Sequence, residues 1–85
     1  MERIRVHPRV HERHPDISDE NVSTAWENAI ALIERRTEEK DFLVAIGFDD
    51  KGRLLEMVST QDYDGVMMVF HAMAPPAKRT LKSLA

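Results

Sequence analysis

Polarity along the chain changes period several times, and each change marks an element. Near the start, Ile4 and Val6 alternate with Arg3, Arg5 and His7, which is the two-residue period of a short, half-buried strand. Pro8 stops that strand. The basic, histidine-rich run that follows to His14 is long enough for a single helical turn before Pro15 ends it. Ser18 then reads as an N-cap, with Asp19 and Glu20 in the first turn, where the helix dipole favours acids. Ile17 and Val22 occupy the two positions of a hydrophobic staple around it. Val22, Ala25, Trp26, Ala29, Ile30 and Ile33 continue at helical spacing, so the pattern predicts a helix from about Asp19 to Arg36, with Arg35 and Arg36 complementing its C-terminal dipole.

After the polar connection Thr37–Asp41 the period returns to two. Phe42, Val44, Ile46 and Phe48 alternate with Leu43, Ala45 and Gly47, and Asp49-Asp50-Lys51-Gly52 reads as a hairpin turn closed by glycine. On the returning strand, Arg53–Thr60, Leu55 and Met57 face one way while Leu54, Glu56 and Val58 face the other. Gln61–Gly65 is a second hairpin loop, and its Tyr63 is a candidate for stacking on a base. The strand Val66–Met73 is apolar on both faces and is expected to be central, with the N-terminal strand beside it. Pro75-Pro76 breaks it before a short helix through Leu84. The expected architecture is therefore one α+β domain over residues 1–85. It has a small antiparallel sheet built as strand, helix, three-stranded meander and short C-terminal helix, with the long helix on one face.

Size and charge narrow the function. At 85 residues the core is modest, which favours a shallow surface over a deep pocket. Without cysteine there is neither a disulfide nor a thiolate metal site, and no apolar run has the length of a membrane span or signal peptide. The expectation is a cytoplasmic protein that makes no use of a membrane. The net charge of -3 argues against a nonspecific coat for nucleic acid. Its distribution is uneven. Residues 1–15 carry four positive and two negative charges, and residues 66–85 carry three positive charges and no acids. Residues 16–41 carry three positive and eight negative charges, and residues 42–65 two and five. A fold that joins the two ends would make a positive surface on an acidic protein.

His7, His11 and His14 are spaced by four and then three residues and would share a helical face. No acid or cysteine completes a ligand set around them, so no metal site is assigned. Their plainer use is to join Arg9 and Arg13 in contacting phosphate, or to serve as a solvated lead-in to the helix.

Three stretches resemble the small toxins of bacterial type II toxin–antitoxin systems, in the BrnT-like branch of the RelE/ParE-type superfamily. His14-Pro15-Asp16-Ile17-Ser18-Asp19-Glu20-Asn21 is similar to that family's basic turn leading into a helix. Gly52-Arg53-Leu54-Leu55 is similar to its meander start, and Phe70-His71-Ala72-Met73-Ala74 with Lys78-Arg79 to its last strand running into a basic helix. The resemblance implies a RelE-like fold and a ribonuclease toxin that needs no cofactor and inhibits translation. It also implies a cognate antitoxin protein that neutralises it, an RNA substrate (free or on the ribosome), and contact with operator DNA only through the antitoxin. Two departures stand out: Met73 lies where that family has an arginine, and the chain is acidic where the family is basic.

Metal-independent RNA cleavage needs a base for the 2′-hydroxyl, an acid for the leaving oxygen and cations on the phosphorane. His71, Lys78 and Arg79 supply those types, with Glu56 or His14 as a catalytic partner of the histidine. Arg9, Arg13, His14 and Arg53 are the expected RNA-binding set. Against this stands a non-catalytic reading, in which His71 closes a strand, Lys78 and Arg79 form a solvated helix face, and the same fold binds a partner protein or a second copy of itself.

Overall fold

The computed structural model describes residues 4–62 and 64–84, so Tyr63 lies outside the described residues. The elements are β1 (Ile4–Val6), α1 (Arg9–Arg13), α2 (Asp19–Glu27), β2 (Ala29–Arg36), β3 (Asp41–Phe48), β4 (Leu54–Gln61), β5 (Met67–Met73) and α3 (Lys78–Lys82). The fold is α+β, with one five-stranded sheet in the order β1-β5-β4-β3-β2. β1 runs parallel to β5, and every other neighbouring pair is antiparallel.

The expected long helix is the main correction. The helix starts where the cap predicts: the Ser18 side chain accepts from the Asn21 amide while the Asn21 side chain accepts from the Ser18 amide. Ile17 and Val22, the two staple residues, are both buried. The helix stops at Glu27, however, with Asn28 as its C-cap, and Ala29–Arg36 pairs with β3 as an edge strand. Ala29, Ile30 and Ile33 fit a helical stripe and a strand equally well. β-Branched Ile30 and Ile33 favour the strand, and pairing with β3 settles the choice. The meander therefore has four strands, β2 to β5, instead of three. β5 is an interior strand between β1 and β4, while the middle place in the sheet belongs to β4.

Cross-strand register divides the side chains between two faces. Leu55, Met57, Ala45, Val69 and Ala72 share the first face and pack with Val10, Ile17, Val22 and Ala25 of the helical layer. The approach is close enough that a Cβ on Gly47 would collide with the Ala25 carbonyl oxygen. The second face carries Phe42, Val44 and Ile46 of β3, with Glu56 and Val58 of β4 opposite them. Val44 and Ile46 are buried although neither α1 nor α2 packs there. The segment after β5 crosses this face: Pro76 and Thr80 are buried, and the Ala77 amide bonds to Glu56. The hairpin glycines Gly52 and Gly65 adopt φ of 76° and 79°, the left-handed region that side chains disfavour. Among the described residues no helix is long and apolar enough to cross a membrane.

Candidate functional site

Strict alternation along β5 would put His71 on the first face with Val69. A β-bulge prevents this. Ser59 pairs with Val69, but its neighbour Val58 pairs with His71, so Phe70 is the extra residue. After the bulge His71 lies on the second face in the row of Val58 and Val44, one step from the Glu56–Met73 pair. Phe70 goes the same way and stacks edge-on against Phe42, with ring centroids 5.8 Å apart.

The bulge brings His71 to Glu56: Nε2 of the imidazole lies 3.4 Å from Oε2 of the carboxylate. Glu56 is buried, at 7% exposure, and its other oxygen accepts from the Ala77 amide at 3.2 Å. His14 completes the group, its ring meeting that of His71 at 6.3 Å and 83°. The backbone of His14 is fixed on both sides, its amide donating to the Val10 carbonyl and its carbonyl accepting from Ile17. Val10 and Ile17 are themselves core residues. Thus the C-cap of α1, β4 and β5 each deliver one member of a Glu56–His71–His14 set.

Of the expected cations, Lys78 and Arg79 are exposed on α3, one and two residues after the amide that Glu56 holds. Arg9 and Arg13 are exposed on α1, just before His14. Among the described residues none of these four side chains has an ion pair. Arg53 is different, because its side chain is engaged within the fold. Its Nε donates to Asp49 at 2.9 Å, one terminal nitrogen reaches the Asp16 carboxylate at 3.2 Å, and the other donates to the Asp16 carbonyl and the Asn21 side chain. Its side chain is only 26% exposed. Arg53 ties the β3–β4 hairpin to the start of α2, and its donors are committed to that task.

The fold changes the titration of the Asp49 carboxylate, which is buried beneath Arg53. Burial alone would push its pKa up. Hydrogen bonds from the Arg53 amide, the Arg53 guanidinium and the Lys51 amide, together with the arginine charge, outweigh burial and hold the pKa below the usual carboxylate value.

The three N-terminal histidines do not converge. His11 pairs with Asp19 at 3.1 Å, His7 accepts from the Arg9 amide, and His14 turns to His71. Among the described residues no three His, Cys, Asp or Glu side chains come together as a metal-holding group. A surface hollow at the β2–β3 hairpin, lined by Thr37, Glu38, Glu39, Lys40 and Phe42, contains none of the candidate residues. The His71 group is instead a surface site. Two of its parts, the bulge and the Ala77 amide, leave no mark in residue type and so are not visible in the sequence. Comparisons with protein-family models, with curated proteins and with solved structures found no match for this chain.

Proposed function

We propose that the protein is the toxin of a type II toxin–antitoxin pair: a metal-independent ribonuclease of RelE-like fold that inhibits translation and is neutralised by a cognate antitoxin. The observation that carries this reading is the bulge in β5, which turns His71 out of strand alternation and onto Glu56, whose other oxygen holds the amide just before a helix bearing two exposed cations. Bulges next to functional sites commonly re-aim a side chain in this way. In the proposed reaction His71 takes the proton from a ribose 2′-hydroxyl as the 2′-oxygen attacks phosphorus. The bond to the 5′-oxygen breaks, that oxygen takes a proton from solvent water as it leaves, and His71 afterwards returns its proton to solvent. The products are a 2′,3′-cyclic phosphate and a 5′-hydroxyl. Lys78 and Arg79 stabilise the charge on the phosphorane, while Arg9, Arg13 and His14 hold the flanking backbone. Expression in a bacterial host with RNA 5′ ends mapped in the same cultures tests this. Growth arrest with new cleavage sites, both lost with His71→Ala, is the expected outcome. Normal growth with a folded protein and no new ends would overturn it.

A second reading, a non-catalytic protein-binding module, is favoured by one feature of β2. This eight-residue strand is one edge of the sheet, and it exposes Ile30 at 63% and Leu32 at 61%. An apolar edge of that length is a docking place for another strand. Either an antitoxin segment or a second copy of the chain would satisfy it. On this reading Leu32→Lys abolishes partner binding or self-association, measured by size-exclusion chromatography with light scattering.

A further inference from the structure

Among the described residues two carboxylates are buried, Asp49 and Glu56. Asp49 has a guanidinium and two amides and is fully matched. Glu56 has no such cation. It sits between Ile46 and Met73 on the second face of the sheet, in a place an apolar side chain would fill at lower cost. Its partners are only the imidazole of His71 and the amide of Ala77. The two oxygens are divided between them, Oε2 toward the ring and Oε1 to the backbone. Ala77 in turn lies between the buried Pro76 and α3, and its carbonyl accepts from both Thr80 and Leu81 to begin that helix. Lys78 and Arg79 therefore take their place from the same residue that the carboxylate holds.

We propose that Glu56 is a positioning residue that seats both halves of the site at once, orienting the His71 imidazole with one oxygen and fixing the start of the α3 helix, with Lys78 and Arg79, with the other. Its consequence for activity rests on the ribonuclease reading, whereas the seating itself does not. His14, from the α1–α2 connection, meets the His71 ring, and Lys78 and Arg79 follow the Ala77 amide by one and two residues. Glu56 touches no substrate atom. It acts by placing groups that would.

Amide hydrogen exchange on the full chain, followed by NMR, separates the two functions of the carboxylate. Glu56→Ala removes both contacts, so exchange at Ala77, Thr80 and Leu81 is expected to accelerate at least roughly tenfold, while Ala45 and Met57 in the β3–β4 ladder stay protected. Glu56→Leu, apolar like its neighbours, gives the same readout if the alanine variant does not fold. Glu56→Gln keeps an oxygen for the Ala77 amide but loses the charge facing His71. Its α3 amides should stay within about threefold of the parent. With a synthetic oligoribonucleotide, its kcat should fall at least about tenfold while KM stays within about twofold. Unchanged exchange at Ala77, Thr80 and Leu81 in Glu56→Ala and Glu56→Leu would overturn the seating of α3. A Glu56→Gln protein that cuts as fast as the parent would overturn the orientation of His71. A parent protein that shows the exchange pattern but cuts no RNA would overturn the ribonuclease reading and leave the seating intact.

Discussion

Two residues that look alike in sequence have opposite uses in the fold. Arg53 and Arg79 are both basic residues near motifs that suggest RNA contact, yet Arg53 spends its donors on Asp49, Asp16 and Asn21, while Arg79 faces solvent with no ion pair among the described residues. Truncating Arg53 to methionine leaves the buried Asp49 carboxylate without its main partner. We expect a loss of roughly 2–3 kcal/mol in denaturant unfolding, with the proposed RNA cleavage by the folded fraction unchanged. The pH dependence follows from Asp49. Its folded pKa lies below that of the unfolded chain, near 3.9, so its stabilising contribution is complete above the unfolded value and is lost as pH falls through the folded one. Thermal melts between about pH 5 and pH 2 should show a decline that Asp49→Asn flattens. A decline of equal slope in that variant would assign the acid sensitivity to other carboxylates.

At the scale of elements, the chain was legible wherever one local signal stood alone. The Ser18 cap, the Ile17–Val22 staple, both glycine hairpins and the facing of Leu55 and Met57 against Glu56 and Val58 all read directly from residue type and period. Ser18→Ala should therefore lower stability by about 1 kcal/mol, as loss of an N-cap does, measured by urea unfolding. The half of the long helix that became β2 was not legible, because Ala29, Ile30 and Ile33 satisfy both periods and the deciding partner, β3, is distant in sequence. The bulge was illegible for a related reason. It is a difference in count between two paired strands, so Phe70 and His71 carry no sign of it by themselves. That is why His71, Glu56 and His14 could be named as candidates from the chain, while their convergence on one group could not.

For the molecule as a whole, the parallel pairing of β1 with β5 joins the two basic ends of an acidic protein. Arg9 and Arg13 precede His14, and Lys78 and Arg79 follow the Ala77 amide that Glu56 holds, so four exposed cations are close in sequence to the contacts of the His71 group. If these cations bind phosphate, affinity for a short oligoribonucleotide should weaken with salt. The slope should drop by about 1.4 in Lys78→Ala/Arg79→Ala, two phosphates at about 0.7 each. A slope unaltered by the double substitution would remove α3 from the binding surface.

The most direct test of His71 as the centre of a metal-independent ribonuclease uses the purified protein, bacterial RNA with and without ribosomes, and excess EDTA. The ends produced are mapped for 5′-hydroxyl groups. The parent protein is expected to generate new 5′-hydroxyl ends despite the chelator, and a folded His71→Ala variant to reduce them at least roughly a hundredfold. Equal cleavage by the two proteins, or no new ends from the parent, would contradict the proposal.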